Sequence, residues 1–169
     1  MLTRRRVMRL CCLAPLAFVR TAAASPAIPE PASSDTCPVC GMHVAKYPEW
    51  TATVAFKDGR SAHFDGAKCM FRFVLKPDRY ARGRSADDID VAVVKEYYDL
   101  TRIDARSALY VVGSDVLGPM GHELVPLESR TAVDDYVRDH GGSGVFTFPE
   151  VTDGLLDRLD RGEVAAHRP

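Results

Sequence analysis

Seven consecutive residues, Cys37-Pro38-Val39-Cys40-Gly41-Met42-His43, carry two thiols, a thioether and an imidazole. Such a density of donors constrains any fold built around it, because the chain must either converge them on a metal ion or bury them as inert core. Thiolate and thioether sulfur are soft donors that select Cu(I), whereas imidazole also suits zinc and copper. A Cys-x-x-Cys alone can be half a zinc site, a redox pair or a short disulfide. The Cys-Gly-Met extension tilts the choice. Gly41 lets the backbone turn tightly between two donors, and Met42 offers a ligand that carries no charge and never protonates, which suits a univalent ion that must later be released. The competing reading of Met42 is a gap-filling core residue.

Residues 1–24 read as an export signal. Arg4, Arg5 and Arg6 form a basic n-region, Leu10 to Val19 a short apolar run, and Ala22-Ala23-Ala24 a cleavage site before Ser25. Thr3-Arg4-Arg5-Arg6-Val7-Met8 also fits a twin-arginine pattern, although an ordinary secretory n-region uses the same arginines. The apolar run is short for a membrane anchor. Neither Cys11 nor Cys12 follows the small residues that precede a lipid-modified cysteine, so the sequence does not support membrane anchoring and both thiols leave with the leader. Residues 25–36, rich in Pro, Ser and Ala, read as a flexible mature N-terminus.

About 145 residues remain, enough for one compact unit or two small packed halves. An apolar content of 46% supports a genuine core, and a net charge of -1 offers no field for nucleic acid or a membrane surface. Three cysteines survive cleavage: Cys37, Cys40 and Cys69. In an oxidising compartment an odd number cannot all pair within one chain, so at least one is free, intermolecularly linked or bound to metal.

Trp50 to Phe56 alternates as a strand, and Asp58-Gly59 predicts a hairpin turn into Arg60 to Phe64. Asp65 is placed to cap a helix running to about Lys76 and stopped by Pro77. Lys68, Arg72 and Lys76 make one polar stripe on it, and its other faces are apolar. Pro77 to Asp90 reads as a polar connection and Val91 to Leu100 as a strand. The same order then returns: Ala108 to Val112 and His122 to Leu127 as strands, a helix Thr131 to His140 with Thr131 and Asp134 resembling a capping box and Gly141 ending it, and a strand Val145 to Phe148. The expected fold is α+β, two related β-β-α(β) half-domains packed together, over residues 37–100 and 101–150. Residues 151–169 form a charged tail, a short helix or frayed. The inter-strand connection is two residues in the first half and nine in the second, where it carries Gly118-Pro119-Met120-Gly121-His122.

A redox pair needs Cys-x-x-Cys opening a helix, whose N-terminus lowers the thiol pKa; here the pair lies between a leader and a strand. A structural zinc site needs four closed ligands, which Cys37, Cys40 and Cys69 could complete with His63 or His43. A disulfide of Cys37 with Cys40 or with Cys69 is a third arrangement, compatible with metal binding. Met120, between glycine neighbours in a loop, is a candidate ligand set against a surface or gap-filling methionine. His63 reads as a hydrogen-bonded strand residue, and His140 and His167 need no special role. No Ser-His-Asp pattern, phosphate-binding glycine motif or paired carboxylates point to an enzyme.

With these residues in view, the chain resembles the NosL family of copper chaperones that serve assembly of nitrous oxide reductase. The likeness rests on Cys37 to Val44, on His63-Phe64-Asp65 with Cys69-Met70, and on Ile103-Asp104-Ala105. It continues through Ala108 to Ser114 and Gly118 to Pro126, in order over most of the mature chain. The resemblance implies two related half-domains, a periplasmic protein holding Cu(I) on sulfur, and nitrous oxide reductase with its copper-assembly machinery as partners. Carried over by position, the metal residues are Cys40, Met42 and Met120, followed by Cys37 and Cys69. Family members are often lipoproteins, and this leader departs from that pattern. Cys37 to Tyr80 is also similar to the YHS or TRASH type of metal-binding domain, with Cys69, Phe73 and Pro77-Asp78-Arg79-Tyr80 in place, but that likeness leaves the second half unexplained.

Overall fold

The computed structural model describes residues 28–163; the expected export signal over 1–24 and the end of the tail, 164–169, lie outside them. Strand β1, Ala52–Phe56, turns at Asp58-Gly59 into β2, Ser61–Phe64, with Ala52 opposite Phe64 and Gly59 at φ +84°. Helix α1, Ala67–Leu75, and a single turn α2, Pro77–Tyr80, follow. The chain then returns as β3, Ile89–Lys95, beside β1. A fourth strand, β4, Arg102–Asp104, pairs with β3, giving an antiparallel sheet in the order β2-β1-β3-β4.

The expected long strand Val91 to Leu100 is thus a hairpin. The buried Glu96 carboxylate accepts the N–H groups of Tyr98 (2.6 Å) and Asp99 (2.8 Å), folding the chain back on itself. Leu100 then takes φ +54°, a conformation more usual for glycine or asparagine. A leucine there hid the turn from the sequence. Tyr97 leaves the sheet and meets Tyr136 edge-on, with ring centroids 4.9 Å apart.

The second sheet has the order β8-β5-β9, built from β5, Leu109–Val112, β8, Val125–Leu127, and β9, Gly144–Thr147. In the first sheet β1 is flanked by β2 and β3, and in the second β5 is flanked by β8 and β9, β3 and β9 each following a helix. The long loop expected between β5 and β8 contains a two-stranded hairpin of its own. Its strands are β6, Leu117–Gly118, and β7, Gly121–His122, with Pro119-Met120 at the turn. Helix α3, Arg130–His140, is capped by Ser129, whose hydroxyl accepts from the Ala132 N–H at 3.1 Å, two residues ahead of the expected Thr131 box. Gly141 ends it at φ +69°.

The tail from Thr152 is a helix rather than frayed. In α4, Asp153–Asp160, Thr152 caps the first turn, and Leu155, Leu156 and Leu159 are buried in the same cluster as Phe71, Tyr110 and Val112. The polar stripe of α1 faces it: Lys68 meets Asp160 (3.0 Å), Arg72 meets Asp157 (3.1 Å) and Asp160, and Lys76 meets Asp153 (2.6 Å). Near the N-terminus, Arg102 holds the carbonyls of Ile28 (2.7 Å) and Pro29 (3.2 Å) and pairs with Glu30. The described part of the segment expected to be flexible is therefore tied to β4. No helix among the described residues is long and apolar enough to cross a membrane.

Glu123, just after β7, takes the helix-capping role expected of Asp65. Its Oε1 accepts the Lys68 N–H at the start of α1 (2.5 Å) and its own neighbour's, Leu124 (3.0 Å). Burial pushes its carboxyl up from 4.5 to about 7, against the pull of those N–H groups and the Lys68 charge. A folded-state value above the unfolded one means stability that is complete below about pH 4.5 and lost as pH rises through about 7. Glu123→Gln keeps the acceptor and cannot ionise, so its stability relative to wild type should rise by about 3 kcal/mol between pH 4.5 and 8. Urea unfolding across that range checks it; a constant difference would mean that the Glu123 carboxyl titrates alike in the folded and unfolded protein.

Candidate metal centre

The Cys37 to Met42 turn is closed by two backbone hydrogen bonds, Gly41 N–H to Cys37 C=O and Cys37 N–H to Met42 C=O, both 2.8 Å. Gly41 sits at φ +79°, which a side chain would strain. A bridge between Thr36 and His43 anchors the base of the turn. This geometry aims Cys37 and Cys40 at the start of α1, where Cys69 lies in the first turns of the helix and Asp65 immediately precedes it.

One donor atom from each of Cys37, Cys40, Asp65 and Cys69 lies within 4.8 Å of the others. All three thiols are free, so neither of the expected disulfide pairings is formed. Cys40 Sγ is 3.3 Å from both carboxylate oxygens of Asp65 and donates to them. The Cys69 thiol donates to Cys37 and, with the backbone N–H groups of Cys40 and Val39, lowers the Cys37 thiol to about 7 against the cost of burial. Cys40 is pushed up to about 12, first by burial and then by its neighbours Cys37 and Asp65. Cys69 is raised well above the usual thiol range, mainly by donating its proton to Cys37 and by burial. The arrangement therefore makes Cys37 the first of the three thiols to ionise and holds Cys40 and Cys69 protonated to higher pH.

Access is one-sided. Cys37, Cys69 and Asp65 are buried, whereas Cys40 is half-buried. Met42 is half-buried on the same turn as Cys40, and its Sδ receives the Tyr47 hydroxyl at 3.8 Å. Met120 is 43% exposed at the tip of the β6–β7 hairpin, and its carbonyl accepts the Lys68 ammonium at 2.8 Å, one residue from Cys69.

Neither histidine suggested as a fourth ligand joins the cluster. His63 bonds through its ring nitrogens to Thr53 (3.0 Å) on the neighbouring strand and to Ser61 (3.2 Å) on its own, and His43 is exposed at the base of the turn. Asp65 occupies the place instead. An aspartate before a helical run is commonly a helix cap, the role the sequence predicts for it; only its spacing of four from Cys69 hints at a shared helix-start face.

A family model described as NosL matches residues 28–156. Among curated relatives, the copper-binding lipoprotein NosL of Stutzerimonas stutzeri is 28% identical over 140 residues, spanning 80% of this chain and 73% of its own length. The crystal structure of the copper chaperone NosL from Shewanella denitrificans superposes with a TM-score of 0.61 at 23% identity, covering 76% of this chain and 99% of that one. That likeness is one of fold, and it matches the α+β class expected from the sequence.

Proposed function

This chain belongs to the NosL family, and on that premise we propose that it is a periplasmic copper chaperone that holds Cu(I) and delivers it to nitrous oxide reductase during that enzyme's maturation. The observation that carries the proposal is the convergence of three free thiols and one carboxylate within 4.8 Å. In this reading Cys37, Cys40 and Cys69 supply thiolate, and the thioethers of Met42 and Met120 complete a soft site. Thiolates neutralise the ion, while thioethers bind without added charge. Cys40 and Met120 form the accessible side, so a partner's donor enters there while the buried sulfurs retain the ion until exchange is complete. The copper-binding name of the Stutzerimonas stutzeri relative supports the cargo. That relative is a lipoprotein; in this chain the expected export signal supports delivery to the periplasm.

A second reading has one observation in its favour: three cysteines and an aspartate make the four protein ligands of a closed structural zinc site. Thiol-disulfide exchange has less support, because the lowered thiol, Cys37, is 1% exposed and the pair opens no α-helix. The chaperone reading requires no turnover of its own.

Mature protein purified without oxygen decides between the metals. It should bind about one Cu(I) per chain in preference to Zn(II), read by competition titration with metal analysis. A stoichiometric zinc that Cu(I) cannot displace would move the assignment to a structural zinc module.

A further inference from the structure

We propose that Lys68 and Glu123 are positioning residues that fasten the Met120 hairpin to the helix bearing Cys69, so that the thioether is presented to the thiol cluster at a fixed place. The inference rests on the reading of Met120 as a copper ligand and adds the residues that put it there.

Lys68 is 2% exposed, an unusual burial for a lysine. Its ammonium is neutralised by Asp160 at 3.0 Å and donates to the Met120 carbonyl at 2.8 Å. One buried cation thus joins α1, the hairpin tip and the end of α4. Glu123 makes the second attachment at the hairpin's base, accepting the backbone N–H of the same lysine at 2.5 Å. Space around it is limited on both sides. A Cβ at Gly66, ahead of α1, would lie 2.6 Å from Glu123 Oε2, and one at Gly118, in β6, would lie 3.0 Å from Glu123 Cγ. The carboxyl is therefore wedged between the helix start and the hairpin, with glycine on each flank.

Two attachments, one at each end of the hairpin, define both its position and its tilt. The hairpin buries little apolar surface that could do this: Met120 is 43% exposed and Leu117 is 59% exposed. Without the Lys68 contact the methionine would remain on the surface but lose its fixed orientation, and a weak neutral ligand contributes only when it is already oriented.

A double-mutant cycle tests this by Cu(I) competition titration, with apo-protein melting as the folding control. Lys68→Met keeps the buried stem and removes the ammonium. In the parent it should lower Cu(I) affinity about tenfold, and in a Met120→Ala background it should have no further effect, since directly coupled residues are non-additive. An unchanged affinity, or the same loss in both backgrounds, overturns the positioning role. If Lys68→Met does not fold, Gly118→Ala crowds the Glu123 side chain against the hairpin while leaving the residues of α1 unchanged, and the same dependence on Met120 is expected. Met120→Ala alone separates the premise from the inference. No loss on that change removes Met120 from the site and the proposal with it, whereas a loss there with Lys68→Met silent overturns only the fastening.

Discussion

Cys40→Ser should lower Cu(I) affinity by at least about a hundredfold, equivalent to about 3 kcal/mol of binding free energy. Serine keeps the shape of the turn, whose two closing hydrogen bonds are backbone to backbone, so the loss reports chemistry rather than folding. The replaced atom is a soft thiolate donor, and a neutral hydroxyl is a hard, weak one that does not neutralise the ion. Asp65 cannot compensate: a carboxylate is suited to harder cations, and in Cys40→Ser it gains only a hydroxyl in place of the thiol it now accepts from at 3.3 Å. The effect should exceed that of Met120→Ala, because the thioether contributes no charge. If the proposed delivery to nitrous oxide reductase holds, that enzyme should be made in normal amount but short of copper in cells carrying the variant. Cu(I) competition titration of the variant beside wild type, with apo-state melting as control, measures it. Retained affinity would take Cys40 out of the ligand set and leave the buried Cys37 and Cys69 as the thiolate donors.

Much of the site could be read along the chain because its donors are chemically rare. The sulfur residues Cys37, Cys40 and Cys69 are few and their surroundings resemble a family pattern; the structure brings these three together with Asp65, within 4.8 Å of one another. Asp65 was harder, because aspartate before a helix has a commoner use and the residue that took over that use, Glu123, is 58 positions further on. The same non-local logic explains the fold. Asp58-Gly59 announced its hairpin, whereas the β3–β4 hairpin turns on a buried Glu96 and a left-handed Leu100, neither of which is a turn residue by type. The stripe Lys68, Arg72, Lys76 is legible as one polar face of the helix, without what lies against it. Its meaning lay in Asp153, Asp157 and Asp160, which repeat at helical spacing in a tail that looked merely charged. Setting the two stripes side by side would have docked the tail without any structure.

The docking of that tail leads to the largest expected effect on stability. Leu156→Ala should destabilise the protein by about 2–5 kcal/mol, the range for removing a buried leucine from a core that cannot collapse around the gap. Leu156 is fully buried, and its cluster includes Leu155, Leu159, Phe71 and Tyr110, drawn from α4, α1 and β5. Since whole domains are stable by about 5–15 kcal/mol, one such change consumes a large part of the margin. The ion-pair ladder contributes far less per rung. Asp157, half exposed, pairs with Arg72 at 3.1 Å across a solvated edge, and Asp157→Asn should cost well under about 1 kcal/mol. Charge thus sets the register of α4 on α1, and the leucines supply the free energy. Lys68 is the exception on the ladder: with its ammonium buried, the Asp160 partner also serves the Met120 hairpin. Loosening α4 should therefore weaken copper binding as well as stability, through a residue that touches no metal. Urea unfolding of Leu156→Ala and Asp157→Asn, read alongside Cu(I) titration, checks both links. A cost for Leu156→Ala below about 1 kcal/mol would mean that α4 is a dispensable cover, and an intact copper affinity in a destabilised variant would uncouple the tail from the site.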